Sequence, residues 1–333
     1  MKKTLKNWMQ KILILSIVCV LGVAALVGCG SKTAEKVNVR VGGLKGPTSM
    51  GLLFLQEKNE KGEAGENYEF TMVTAADELL TMMVKGELDI ALIPANVASV
   101  LYNKTEGGVS VIDINTLGVL YMVSGDDSIK TPADLSGRTV YLTGKGTTPD
   151  YVLCYIMQEN GLTDADVKLE YKSEATEVAA VLAENPDAVG LLPQPFVTAA
   201  CAQNDALGVV MDMNEQWTLL QGEDGSKMVT GVTVVRNAFL KENEEAVKVF
   251  LGEHKESTKQ INEDAEKGAA LAVAAGIIAK EPIALKAIPK CNISYIDGEE
   301  MKQALSGYLS VLCEQDPKSV GGTLPADGFY YVQ

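Results

Sequence analysis

The sequence predicts an α/β protein of two similar lobes, with a helical C-terminal extension packed on lobe one. Three observations predict this. Strand-like and helix-like segments alternate from residue 37 onward. The order then repeats: "KGPTS" starts at Lys45 and "KGTTP" at Lys145, while "DIALIP" ends at Pro94 and "DAVGLLP" at Pro193. Beyond Arg236 the strand signals give way to helical periodicity.

Each element follows from its residues. "KVNVRVGGL" alternates and is rich in valine, so it reads as a strand; "KGPTSMG" breaks it, and the apolar-periodic "LLFLQEK" continues as a helix. "YEFTMVT" is a second strand, "ADELLTMMVKG" a helix closed by glycine, "DIALIP" a short buried strand and "ANVASVLYNK" a helix. This βαβαβα order points to a parallel sheet. The second lobe repeats it. "RTVYLTGKGTTPD" leads into the helix "YVLCYIMQENG", followed by the strand "VKLEYK", the helix "EATEVAAVLAEN", the strand "DAVGLLP" and the helix "QPFVTAACAQN". "SKMVTGVTVV" reads as a strand returning between the lobes. The remainder reads as mostly helical, with Ala246, Val249, Phe250 and Ile261 on one apolar face. Lobe one is therefore expected to span 37–122 plus 236–333 and lobe two 123–235, with two crossings near "YMVSGDD" and "VTGVTVV" acting as a hinge.

The N-terminal stretch "MKKTLKNWMQKILILSIVCVLGVAALVGCG" has a basic start and an apolar run, Ile12–Gly28, that is short for a membrane span. It reads as an export signal over 1–28. "LVGC" resembles the bacterial lipobox, so Cys29 is expected to carry lipid, followed by a small, polar tether over 29–36. These features place the protein on the outer face of the cell membrane. Without residues 1–28 the chain keeps 25 basic residues against 44 acidic ones. A chain this acidic argues against nucleic acid or an anionic lipid surface as a partner. Cys154 and Cys201 sit in apolar helical contexts and are expected as buried thiols; Cys291 and Cys313 are free or paired with each other.

Chemistry is expected at the C-terminal ends of the strands, where helix N-termini present unpaired N–H groups. Lobe one offers Lys45, Gly46, Thr48 and Ser49, then Thr74, then Asn96; lobe two offers Gly144, Gly146, Thr147 and Thr148, then Gln194 and Phe196. Helix capping is the competing role for the hydroxyls. "GKGTT" evokes a phosphate loop, but six residues separate Gly137 from Gly144, and Gly146 follows Lys145 where a hydroxyl residue is required. Catalytic patterns are sparse. GxSxG, HExxH, CxxC and repeated acidic metal spacings are all lacking, so no metal, cofactor or enzymatic activity is expected. The single histidine, His254, lies in the charged helical stretch "GEHKES" and is expected on the surface.

The Lys45–Ser49 loop, "GELDIALIPANVA", "SIKTPADLSGRTVYLTGKGTTPDYVL" and "LLPQPFVTAA" resemble the solute-binding lipoproteins of ABC importers, in the nitrate, taurine (sulfonate) and thiamine-precursor branch. The resemblance implies the type II periplasmic-binding-protein fold, a flytrap closing on a small ligand, a monomer, and an ABC permease as partner. It implies a sulfonate- or nitrate-like anion or a vitamin-precursor heterocycle as ligand, with a slight lean to a small organic anion. Gln194 departs from the glutamate often found in the branch. Alternatives are a lipid-anchored ligand sensor or an enzyme on the same fold; the signal and Cys29 argue against the enzyme.

Overall fold

Two mixed sheets of like topology carry the chain. The structure is a computed structural model that describes residues 36–222 and 225–332; the expected signal peptide, Cys29 and the expected tether up to residue 35 lie outside the described residues. The first sheet has the order β2 (Asn67–Val73), β1 (Asn38–Leu44), β3 (Ile90–Pro94), β10 (Val229–Arg236), β4 (Val109–Leu117) and β11 (Ile293–Ile296). The second runs β7 (Lys168–Lys172), β6 (Thr139–Thr143), β8 (Val189–Pro193), β5 (Leu120–Ser124) and β9 (Gly208–Asp212). Position by position, β6, β7 and β8 repeat β1, β2 and β3, which is the internal repeat seen in the sequence.

The sheets are mixed rather than parallel. In each, three parallel strands are followed by one antiparallel strand, β10 beside β3 and β4 in the first and β5 beside β8 and β9 in the second. The cause is the crossing. The chain leaves the first sheet at Leu117 and enters the second as β5 after only Gly118 and Val119; it returns after Gln221 as β10. A strand that enters a lobe from the cleft side must run against those whose C-terminal ends point at the cleft. β5 therefore belongs to the second sheet, although its first residues were expected with lobe one. β10, expected with lobe two, belongs to the first sheet. The C-terminal region is also not wholly helical, because β11 extends the first sheet.

Helices flank both sheets: α1 (Leu53–Glu60), α2 (Ala76–Lys85), α3 (Ala95–Lys104), α4 (Thr148–Glu159), α5 (Ala175–Glu184), α6 (Phe196–Gln203) and α7 (Met213–Gln221). After β10 come α8 (Asn237–Glu242), α9 (Glu244–Glu263), α10 (Ala265–Ala274), α11 (Glu281–Ala287) and α12 (Gly298–Gln315). Gly86 stops α2 at φ 73°, returning its N–H to the carbonyls of Met82 and Met83. Along α9 the buried stripe is Ala246, Val247, Phe250, Leu251, His254, Ser257, Thr258 and Ile261; Val249, expected on that face, is 37% exposed. Among the described residues no helix is long and apolar enough to cross a membrane.

α12, from the C-terminal region, lies between the two sheets. Its Tyr308 ring packs 5.3 Å from the Trp217 ring of α7, and both side chains are fully buried. Cross-lobe hydrogen bonds join Tyr121 Oη to the Lys290 carbonyl (2.8 Å), Tyr151 Oη to Asp316 (3.2 Å) and Gln315 Nε2 to Gln158 Oε1 (2.8 Å). Tyr121 and Trp217 are thus core residues. The described cysteines Cys154, Cys201, Cys291 and Cys313 are all free thiols; Cys291 is buried, while Cys154 and Cys201 are only partly so. Burial pushes the Cys154 and Cys291 thiols up to about 12, away from reactivity.

Candidate functional site

The turn Pro47–Leu52 follows β1 and rests on the C-terminal ends of the first sheet. Its N-terminal residues Thr48 and Ser49 are buried, yet neither hydroxyl caps the turn nor has any hydrogen-bond partner. The capping role therefore does not hold for them. Asn115 and Thr116, at the end of β4, likewise keep Asn115 Oδ1 and Thr116 Oγ1 unpartnered. From the second lobe, Gln194 follows β8. Its backbone N–H donates to the Val119 carbonyl in the crossing and its Oε1 accepts from Thr198 (2.8 Å), while Nε2 is unpartnered. Tyr308 brings an unpartnered hydroxyl beside Thr148, and burial pushes its titration well up, so it stays an O–H donor. These six side chains are at most 6% exposed.

Leaving a buried polar group unpaired costs about 1–3 kcal/mol, so such groups are rare and scattered in ordinary cores. Here they cluster. The other two in the described residues, His254 Nε2 and Thr258 Oγ1, stand directly behind the turn, 3.1 and 2.7 Å from where a Cβ on Gly51 would lie. His254 is thus wholly buried, not on the surface: the charged residues around it cover the outer face of α9, and every fourth residue turns inward. Its Nδ1 lies 3.3 Å from Asp113 Oδ2, while Asp113 Oδ1 accepts from Thr233 Oγ1 (2.9 Å).

The lobe-two loop is arranged differently. Gly144 and Gly146 take φ 76° and 70°, which glycine alone adopts freely. Thr147 is exposed and turns its hydroxyl onto the Gly144 carbonyl (2.6 Å), closing its own turn. The Gly146 N–H donates to Asp150 (2.7 Å), whose carboxylate also accepts from Tyr171 Oη (2.7 Å). The N–H that evoked a phosphate loop is already engaged by a carboxylate from its own helix. Thr148 reaches across to Asn96 Oδ1 at 3.4 Å, and Asn96 Nδ2 donates to the Ser319 carbonyl at 3.3 Å.

Several expected residues besides Thr147 do not join these buried groups. Phe196 is 37% exposed and lines an apolar groove of about 440 Å³ with Ile277, Ile278 and Ile283 of the C-terminal region. Thr74 is exposed at the end of edge strand β2, and Lys45 is exposed, with Gly46 only partly buried beside it. Lys145 also faces outward, its Nζ 5.2 Å from the Tyr171 ring centroid, at an outer cavity of about 710 Å³ shared with Arg138, Asp150 and Cys154. Asn115, Thr116 and Tyr308 were missed. Asp113 and Asn115, two apart in the mostly apolar strand β4, share one face and were the available signal.

The NMT1/THI5-like family matches residues 107–268. Among solved structures, an ABC transporter protein from Parabacteroides distasonis is 24% identical with a TM-score of 0.73, covering 89% of this chain and 99% of its own. The periplasmic aliphatic sulphonate binding protein SsuA from Escherichia coli is 16% identical (TM-score 0.68), covering 88% and 92%. The periplasmic nitrate-binding protein NrtA from Synechocystis is 15% identical (TM-score 0.51), covering 72% and 66%. No curated protein matches the chain. Residues 107–268 are thus similar to the NMT1/THI5-like family, and the chain shares its two-lobed fold with the ABC transporter protein and the sulphonate-binding protein above.

Proposed function

We propose that the protein is a lipid-anchored, extracytoplasmic solute-binding protein that captures a small polar ligand between its lobes and delivers it to an ABC permease. The observation that carries this reading is the set of buried, unpartnered polar atoms contributed by both lobes: Thr48, Ser49, Asn115 and Thr116 from the first, Gln194 from the second, and Tyr308 between them. A ligand that pairs these groups favours the closed arrangement over the open one, and the two crossings are the hinge about which closure occurs. The fold shared with sulphonate- and nitrate-binding proteins supports the importer role, and the lipobox-like "LVGC" supports lipid on Cys29 and a monomer held at the membrane.

Ligands of the implied classes are sulfonates, nitrate-like ions, and pyrimidine or flavin precursors. The test is a thermal-shift screen of the protein without its first 28 residues against these classes. Saturation at a hundredfold excess over Kd stabilises the folded state by about 2.7 kcal/mol, several degrees in Tm for a chain of this size. A screen in which every class leaves Tm unchanged overturns the reading.

A further inference from the structure

The buried polar chain behind the cleft has a fixed direction. Asp113 is fully buried and is a hydrogen-bond acceptor at both oxygens, one taken by Thr233 Oγ1 (2.9 Å) and the other facing His254 Nδ1 (3.3 Å). With its O–H donated to Asp113 in a hydrogen bond, the Thr233 hydroxyl accepts from Asn115 Nδ2 at 3.2 Å. That donation decides which end of the Asn115 amide turns away. Oδ1 is left unpartnered, between Thr48 and Gly231, where a Cβ on Gly231 would lie 2.5 Å from Asn115 Oδ1 and 2.5 Å from Thr48 Cγ2. A side chain at position 231 would collide with both, so only glycine is compatible with this acceptor, which stays unpartnered at the C-terminal end of β4.

We propose that Asp113, held by His254, orients the Asn115 amide so that the lobe-one floor of the cleft presents a hydrogen-bond acceptor, selecting ligands with an N–H or O–H donor over acceptor-only oxyanions. The inference rests on the cleft being the ligand site. Gln194 Nε2, from the other lobe, offers the complementary donor. A ligand with donor and acceptor in one polar edge (an amide, lactam or pyrimidine edge) satisfies both. Nitrate and alkyl sulfonates set oxygen lone pairs against Asn115 Oδ1, and in lobe two the Gly146 N–H that would attract them is taken by Asp150. Asp113 and Thr233 are positioning residues; Asn115 is the group that meets the ligand.

Isothermal titration with 2-pyrrolidone, hydantoin and uracil on one side, and nitrate and methanesulfonate on the other, tests this. The wild type is expected to bind at least one of the first three about tenfold or more tightly than either anion. Asp113→Asn introduces an amide able to donate to Thr233, which then donates to Asn115 Oδ1 and turns Nδ2 into the cleft; the preference should narrow or reverse. Thr233→Val removes the lock without a charge change and should bring the two classes within about threefold, and it carries the test if Asp113→Asn does not fold. An anion that binds the wild type as tightly as the best lactam overturns the inference and leaves the binding role standing. A preference unchanged in both variants also overturns it, because a structural role alone weakens both classes alike. If none of these probes binds while the thermal-shift screen finds another ligand, the inference is overturned and the binding role stands.

Discussion

Asp89 shows how much one buried charge can hold. It lies in "GELDIA", just before β3, 2% exposed, and its carboxylate accepts from Arg40 Nε (2.8 Å) and from the terminal guanidinium nitrogens of Arg40 and Arg236 (both 2.6 Å). Burial pushes this carboxyl up, but the hydrogen bonds from Arg40 and Arg236 outweigh it and hold it below the ordinary carboxylate value of 3.8. Arg40 and Arg236 are 38% and 23% exposed and can take up water when the carboxylate is lost, so the cost of removing it is that of its charged hydrogen bonds, about 1–3 kcal/mol. Asp89→Ala should therefore lower stability in urea by that amount. A carboxyl depressed in the folded state contributes stability above its unfolded value, and loses it as pH falls through the folded one. The gap between wild type and Asp89→Ala should thus be full at neutral pH and shrink below about pH 4; a gap independent of pH would mean that packing, not charge, is lost.

At the scale of elements, the loop from Gly144 to Asp150 separates two roles that the sequence could not. Thr147 and Thr148 are adjacent and chemically alike, but one bonds its own turn and the other reaches Asn96 on the opposite lobe. Thr147→Ala should lower stability by about 0.5–1 kcal/mol and leave ligand Kd within about twofold, whereas Thr148→Ala should weaken binding about threefold or more. Titration of both variants against the ligand found by screening decides this, and equal effects would rule out the assigned roles. The elements themselves were legible where a local period was strong: β1, β2, β3 and their counterparts, and the helices that follow them. What escaped was non-local. That β5 and β10 change sheets is a property of the crossing, not of the residues in either strand, and β11 is only four residues long. The site was half legible for the same reason. Thr48, Ser49, Asn96, Thr148 and Gln194 follow strand ends that can be counted, while Tyr308 comes from a helix more than a hundred residues further on, and the inward face of His254 is hidden by its charged neighbours.

For the molecule as a whole, the closure proposed above is a balance between the cleft and the contacts around its rim. The Tyr151–Asp316 bond (3.2 Å) and the Gln158–Gln315 bond (2.8 Å) tie α4 of the second lobe to the end of α12, while Tyr121 ties the second sheet to Lys290. These bonds exist only when the lobes are together, so each biases the open–closed equilibrium whether or not ligand is bound. A partly exposed hydrogen bond to a carboxylate is worth about 1 kcal/mol, about fivefold in such an equilibrium. Tyr151→Phe removes this bond and keeps the ring, so ligand affinity should fall by up to about fivefold, with most of the change in the dissociation rate. Thermal stability of the separate lobes should change little, because Tyr151 Oη serves no other partner inside lobe two. Small-angle scattering provides the independent reading: without ligand the variant should be more extended than the wild type, and saturating ligand should bring the two curves together. If affinity is unchanged and the scattering curves coincide throughout, the rim contributes nothing and the closing free energy resides in the polar groups of the cleft.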